Sequence, residues 1–200
     1  MSLPVGADRG QALPLFIWVA GAVLFAAFAF FAFAQAAVAR NGAQSAADAA
    51  VLAAAQDERA ELIEGLVDAI IEEDDTWLDW LNAEGSVGAG AEDAAVRLAA
   101  ENDSQVTKFS RVIIDGNPAS RVEVRTGYSV GETVIPGTEG QHARAESVAV
   151  IVPRCEVDSE SVGVVEFFCE GSGDYSFDAD SFSEADLPDA SALFMVHLAG

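Results

Sequence analysis

The sequence predicts an α+β protein in which a long N-terminal helix, half transmembrane and half extracytoplasmic, packs on a small antiparallel β-sheet. Three observations carry this expectation. Residues 12–34 form an uncharged apolar run, an i, i+3, i+4 apolar pattern continues beyond it to Ile71, and apolar and polar residues alternate in segments after Phe109.

The run ALPLFIWVAGAVLFAAFAFFAFA, Ala12 to Ala34, has the Trp18 indole as its sole side-chain hydrogen-bonding group. As a helix it spans roughly 34 Å, enough for the hydrocarbon core of a bilayer. A soluble core helix rarely stays apolar on every face for so long. The competing reading is a cleaved secretory signal, because Ala32 and Ala34 form an A-x-A arrangement, and it makes the body an exported extracytoplasmic binding module, calcium-dependent if its acidic tail holds the ion. On the anchor reading, residues 1–11 are a cytoplasmic N-terminus, 12–34 cross the membrane and 35–74 continue the helix outside. Residues 75–200 then form a small α+β extracytoplasmic domain with an acidic C-terminal tail. Arg9 and the N-terminus on one side nearly balance Arg40 on the other, so flanking charge says little about orientation.

Past Arg40 the helical pattern persists. Ala43, Ala46, Ala47, Ala50, Ala53 and Ala54 form a stripe of methyl groups on one face, with Gln44 and Asp48 a turn apart on another. Alanine is the strongest helix former, so the helix can hold together as it leaves the membrane. Two uses of the stripe are equally open: packing against copies or relatives of this chain, or covering the chain's own sheet. Farther on, Leu62, Ile63, Leu66, Val67, Ile70 and Ile71 line one face, and Glu61, Glu64, Asp68 and Glu72 the other. The helix is expected from near Gln11 to near Asp74, with Gly21, Gly42 and Gly65 as soft points.

TWLDWL, Thr76 to Leu81, reads as a turn or short helix, GSVGAG at Gly85 to Gly90 as a flexible connection, and Glu92 to about Asn102 as a second helix with Ala95, Leu98 and Ala99 inward. FSRVIID and SRVEVRTGYSV flank the turn GNP as a half-buried hairpin. After the loop GETVIPGTEGQ, ARAESVAVIVP supplies a third strand, Val162 to Phe168 a fourth and LFMVHL a fifth. Cys155 and Cys169 are the only cysteines; their spacing suits a hairpin-sized disulfide loop in an oxidising compartment, the alternative being two unpaired buried thiols.

The chain carries a formal charge of −23, and beyond Arg40 it has 8 basic and 32 acidic residues. Such a field repels phosphate backbones and argues against nucleic-acid partners. No catalytic constellation is visible: His142 and His197 are isolated and no Gly-x-Ser-x-Gly turn is present. GSVGAG and GTEG lack the features of a phosphate loop, so no cofactor and no small-molecule substrate are expected. A weak calcium candidate lies in DYSFDADSFSEADLPD, where Asp178, Asp180 and Asp189 occupy positions 1, 3 and 12 of a calcium loop. Phe182 and Ser183 stand where that loop wants an oxygen ligand and Gly, so a solvated acidic surface is the expectation.

RGQALPLF, the single apolar segment and RNGAQSAADAAVLAAA together resemble the TadG-like and TadE-like proteins of tight-adherence (Flp) pilus assembly. Arg9, Gly10 and Gln11 match the front of that motif, and Arg40, Gln44, Ala46, Ala47, Asp48, Ala49, Ala50 and Leu52 the rear. The later order of helix, LAAENDSQ, paired strands and PGTEGQHARAESVAVIVPRC is similar to the extracytoplasmic domain of TadG-related proteins from high-GC Gram-positive bacteria. The resemblance implies a non-enzymatic, membrane-anchored, pilin-like or pseudopilin-like component. Its partners would be other Tad or pilin-like membrane proteins or itself, with membrane lipid contacted through one helix. It also implies possible processing at Gly10 and Gln11. Filament pilins usually carry Glu at the fifth mature position, where this chain has Leu15. An uncleaved anchor or minor component therefore fits better than a shaft subunit, since an unpaired ammonium buried in an apolar bundle is costly.

Overall fold

A computed structural model describes residues 12–129, 140–157 and 164–199. The chain is α+β, with one long helix against antiparallel sheets. Helix α1, Ala12–Ile71, runs unbroken through the apolar run and the alanine stripe. The expected soft points do not interrupt it. Gly42 and Gly65 are instead places of close approach: a Cβ at Gly42 would overlap the Tyr128 hydroxyl, and one at Gly65 would overlap the Trp80 ring.

The helix reverses at Glu73, in the left-handed region at φ 55°, and leads to the short helix α2, Trp77–Leu81. Helix α3, Ala91–Glu101, buries Ala91, Ala94, Ala95 and Ala99 against α1, while Leu98 is only half-buried. Its inward face is thus rotated from the one expected, because alanines allow closer helix–helix approach than leucine does.

The main sheet has the order β1-β2-β3-β7, all neighbours antiparallel. Strand β1 is Ser104–Ile114, β2 Asn117–Ser129 and β3 His142–Pro153; β7, Phe194–Leu198, closes the far edge. The β1–β2 turn is Asp115-Gly116, with φ 50° and 84°, and not the GNP read from the sequence. Two successive left-handed residues match the twist of a two-residue hairpin, and Asp-Gly supplies them at low cost. Pro118 falls inside β2, one residue from its start.

A second sheet, β4-β5-β6, was not anticipated as separate. Strands β4 (Cys155–Glu156), β5 (Val164–Cys169) and β6 (Gly173–Asp178) form it. The fourth predicted strand is β5, with Val162 and Gly163 outside the described residues. The supposed acidic tail is folded: β6 alternates acids outward with Tyr175 and Phe177, which pack with Phe167 and Phe182 at ring separations of 5.4–6.3 Å. Two short 3-10 turns and helix α4, Ala190–Leu193, then deliver the buried Leu193 and Phe194 to the core. Most of the loop GETVIPGTEGQ lies outside the described residues.

Candidate functional site

Helix α1 has two halves with opposite surroundings. From Leu13 to Val38 its large apolar side chains stand free on every side, with Trp18, Phe30 and Phe33 close to four-fifths exposed. The helix is long and apolar enough to cross a membrane, and none of its most apolar stretch is buried within the chain. Leu15 belongs to this bare half, whereas Gly10 and Gln11 lie outside the described residues.

Burial begins abruptly at Ala39. From there Ala43, Ala46, Ala47, Ala50, Val51, Ala54 and Ala55 are fully or almost fully enclosed. Of the stripe read from the sequence, only Ala53 is partly open; Asp48 sits beside it, half-buried, and accepts a hydrogen bond of 2.8 Å from Gln44. The stripe is covered within the chain, where helix α1 packs on β2, β3 and α3. The inward residues of β3 are correspondingly small: Ala145, Ser147 and Ala149 stand opposite Val124, Val122 and Ser120. Small residues on both surfaces bring the helix backbone close to the sheet.

The sheet is fastened to α1 by a buried carboxylate that sequence reasoning missed. Glu58 is 2% exposed. It accepts hydrogen bonds from Ser120 Oγ at 3.1 and 3.0 Å, and from Arg111 Nε at 3.1 Å, so one helix residue joins β1 and β2. Burial is the dominant influence and holds the Glu58 carboxyl above the ordinary glutamate range, against the opposing pull of Ser120 and Arg111. One signal pointed to it: position 58 continues the stripe of Ala50, Ala54 and Leu62 at helical spacing, so a charge there must be buried.

One turn on, Glu61 gathers the segment read as a flexible connection. Its carboxylate accepts the backbone N–H groups of Gly88, Ala89 and Gly90. Burial pushes this carboxyl up, but the three N–H groups and the Arg111 guanidinium outweigh it and hold it below the ordinary range. Gly88 has φ 101°, and a side chain there would collide with Arg111; one at Gly90 would collide with the Asp57 carboxylate. Arg111 thus lies between Glu58 and the glycine turn, tying α1, β1 and the loop together.

Beside Glu61, an open groove of about 410 Å³ runs between α1 and α2, lined by Glu64, Gly65, Asp68, Thr76 and Trp80 among others. Its wall is mostly carboxylate. Each histidine meets a backbone carbonyl: His142 Nδ1 lies 2.7 Å from that of Thr126 and His197 Nδ1 lies 3.0 Å from that of Leu198. Asp178 caps the 3-10 turn Ala179–Ser181 by accepting the Asp180 N–H at 3.1 Å, and Asp189 precedes α4. Among the described residues, no three His, Cys, Asp or Glu side chains converge as a group able to hold a metal ion. Cys155 and Cys169 face each other across β4 and β5 and are joined as a disulfide.

No curated protein and no solved structure matches the chain. The family model Tad, described as "Putative Flp pilus-assembly TadE/G-like", matches residues 10–57. The match runs from the start of the bare apolar half through the buried alanine stripe, and this stretch is similar to the TadE/G-like family.

Proposed function

We propose that the protein is a non-enzymatic, single-pass membrane component of Flp pilus assembly or a related secretion apparatus, of pilin-like or pseudopilin-like type. Its N-terminus is cytoplasmic, residues 12–34 cross the bilayer, and residues 35–200 stand outside. The observation that carries this reading is the division of α1: an apolar half bare on all sides continues without a break into a half locked in the body's core. Lipid is the environment that suits the first half, and the Tad match gives the whole helix its context. The Cys155–Cys169 disulfide supports an oxidising, extracytoplasmic location for the body.

The partners are other Tad membrane proteins or further copies of this chain. Because the alanine stripe is occupied by the chain's own sheet, contacts between subunits fall to the bare half of α1 and to the outer surface of the body. The calcium candidate Asp178, Asp180 and Asp189 and the processing positions Gly10 and Gln11 have no part in this reading. The test is genetic: cells lacking the protein should lose Flp pili and regain them with the full chain. A body exported behind a cleavable signal in place of residues 12–34 should fail to restore them. Normal piliation without the protein, or full rescue by the unanchored body, overturns the proposal.

A further inference from the structure

Residues 73–90 form a strap that leaves the end of α1, carries α2 and leads into α3. Its backbone has little stability of its own. Helix α2 is five residues long, with no side chain capping its N-terminus, and so short a helix does not hold in water without tertiary contacts. It is bracketed by Glu73 and Ala83, at φ 55° and 57°. Both are non-glycine residues in the left-handed region, a conformation that persists where surrounding contacts enforce it.

Two sets of contacts hold the strap down. Trp80 lies against Gly65 of α1 and against Gly85, so closely that a Cβ at either glycine would overlap its ring. Beside it, Leu81 is the one fully buried residue of α2. At the far end Glu61 accepts the backbone N–H groups of Gly88, Ala89 and Gly90 and so latches the strap to α1.

Charge opposes both. From Ala60 to Gly90 the chain has nine acidic residues and no basic one. Glu64, Asp68 and Glu72 follow one another at helical spacing along the α1 wall of the groove, and Asp74 lines it from the strap side. Asp75, Asp79 and Glu84 stand exposed on the strap. Among the described residues none of the nine is ion-paired; the pairs formed join Lys108 to Glu123, Arg111 to Glu58 and Arg121 to Glu146. Like charges one helical turn apart repel, as do like charges across a groove. Apolar contact and the Glu61 bonds therefore close the strap against carboxylate repulsion that pushes it open.

We infer that residues 73–90 are a charge-loaded flap, which lifts off α1 while the rest of the body stays folded and which ionic strength closes. Opening bares Gly65 and Ala69 on α1 and frees the Trp80 indole, at the end of α1 remote from its apolar half. The test is hydrogen exchange of the full-length protein in phosphatidylcholine nanodiscs at constant pH, read by mass spectrometry. The amides of Asp79, Trp80, Asn82, Ala83 and Glu84 are bonded within the strap. They should exchange about tenfold or more faster than those of Leu62–Leu66 beneath them. Raising NaCl from about 20 mM to about 500 mM shortens the screening length from roughly 20 Å to roughly 4 Å, and should slow the strap amides about threefold or more. Glu64→Gln with Asp68→Asn should slow them likewise at low salt, and Glu61→Gln, which weakens the latch, should speed them. Glu170→Gln with Asp174→Asn removes the same charge from exposed positions on the second sheet and should leave them unchanged. Strap amides as slow as those of Leu62–Leu66 would show that the strap opens only with the whole body and would overturn the inference. Equal effects of the two double variants would overturn it too, because repulsion across the groove would then not be the cause.

Discussion

Glu58 on helix α1 accepts the hydroxyl of Ser120 on β2 through both carboxylate oxygens, at 3.1 and 3.0 Å. This couples the helix to the centre of the sheet at a point where water is excluded. Removing the hydroxyl leaves a buried carboxylate with Arg111 as its main partner. Ser120→Ala should lower stability by about 1.5–3 kcal/mol, read as a shift in the unfolding midpoint of the purified protein. A midpoint within error of the parent would show that the bond does not fasten the sheet.

The two glutamates give opposite pH dependences. The raised Glu58 group favours the fold fully below the ordinary glutamate value, and that contribution is lost as pH rises through its folded value. The depressed Glu61 group favours the fold above the ordinary value, and its contribution is lost as pH falls through its folded value. Stability measured against pH should therefore show the parent losing ground to Glu58→Gln as pH rises above the ordinary value. Its advantage over Glu61→Gln should shrink as pH falls below that value. Parallel curves for all three would refute the assignment.

The alanine stripe makes a prediction that separates its two readings. Had it been an interface between molecules, Ala47→Leu would leave the body folded and weaken assembly. Fully enclosed within the body, Ala47 has no room for three further carbons, and the substitution should cost about 1–3 kcal/mol or more of stability. Ser45→Leu, on the exposed side, should stay within about 0.5 kcal/mol. Equal unfolding midpoints for the two variants would contradict the packing.

Two glycines with positive φ should respond differently. Gly116 has open space around its Cβ position, so Gly116→Ala carries backbone strain alone, about 1 kcal/mol. Gly88→Ala adds a collision with the Arg111 guanidinium and disturbs the Glu61 bonds. It should destabilise the protein clearly more than the hairpin variant in denaturant titrations.

The disulfide should contribute about 3 kcal/mol for a loop of this length. Cys169→Ser, or reduction, should lower the unfolding temperature accordingly, and the parent should show no free thiol to an alkylating agent under denaturing, non-reducing conditions.

Much of this architecture was legible. The helix was expected from about Gln11 to Asp74 and spans Ala12–Ile71, because apolar spacing over so many turns has no competing interpretation. The alternation from Arg121 to Tyr128 placed β2. Strand β6 was missed because its acids read as a solvated tail while Tyr175 and Phe177 supplied the alternation. The hairpin turn falls at Asp115-Gly116 and not at GNP because those two residues supply the left-handed pair, while Pro118 is tolerated near the start of β2. Ile71, counted with the inward face, is 55% exposed at the helix end, where no element covers it. Arg111, Ser120 and the Gly88–Gly90 turn could not be joined to Glu58 and Glu61 beforehand. Those contacts cross 27 to 62 residues of sequence and depend on the register of the sheet.

The central claim is that the apolar half of α1 remains on the mature protein as its membrane anchor. Intact mass and N-terminal sequencing of the protein from native membranes, without reductant, test it most directly. The account predicts a chain that retains residues 12–34, beginning at or near Met1, with both cysteines oxidised. A start at Gln11 would mean prepilin-type processing with the anchor intact. A chain beginning at Gln35 would contradict the anchor and make the apolar run an export signal.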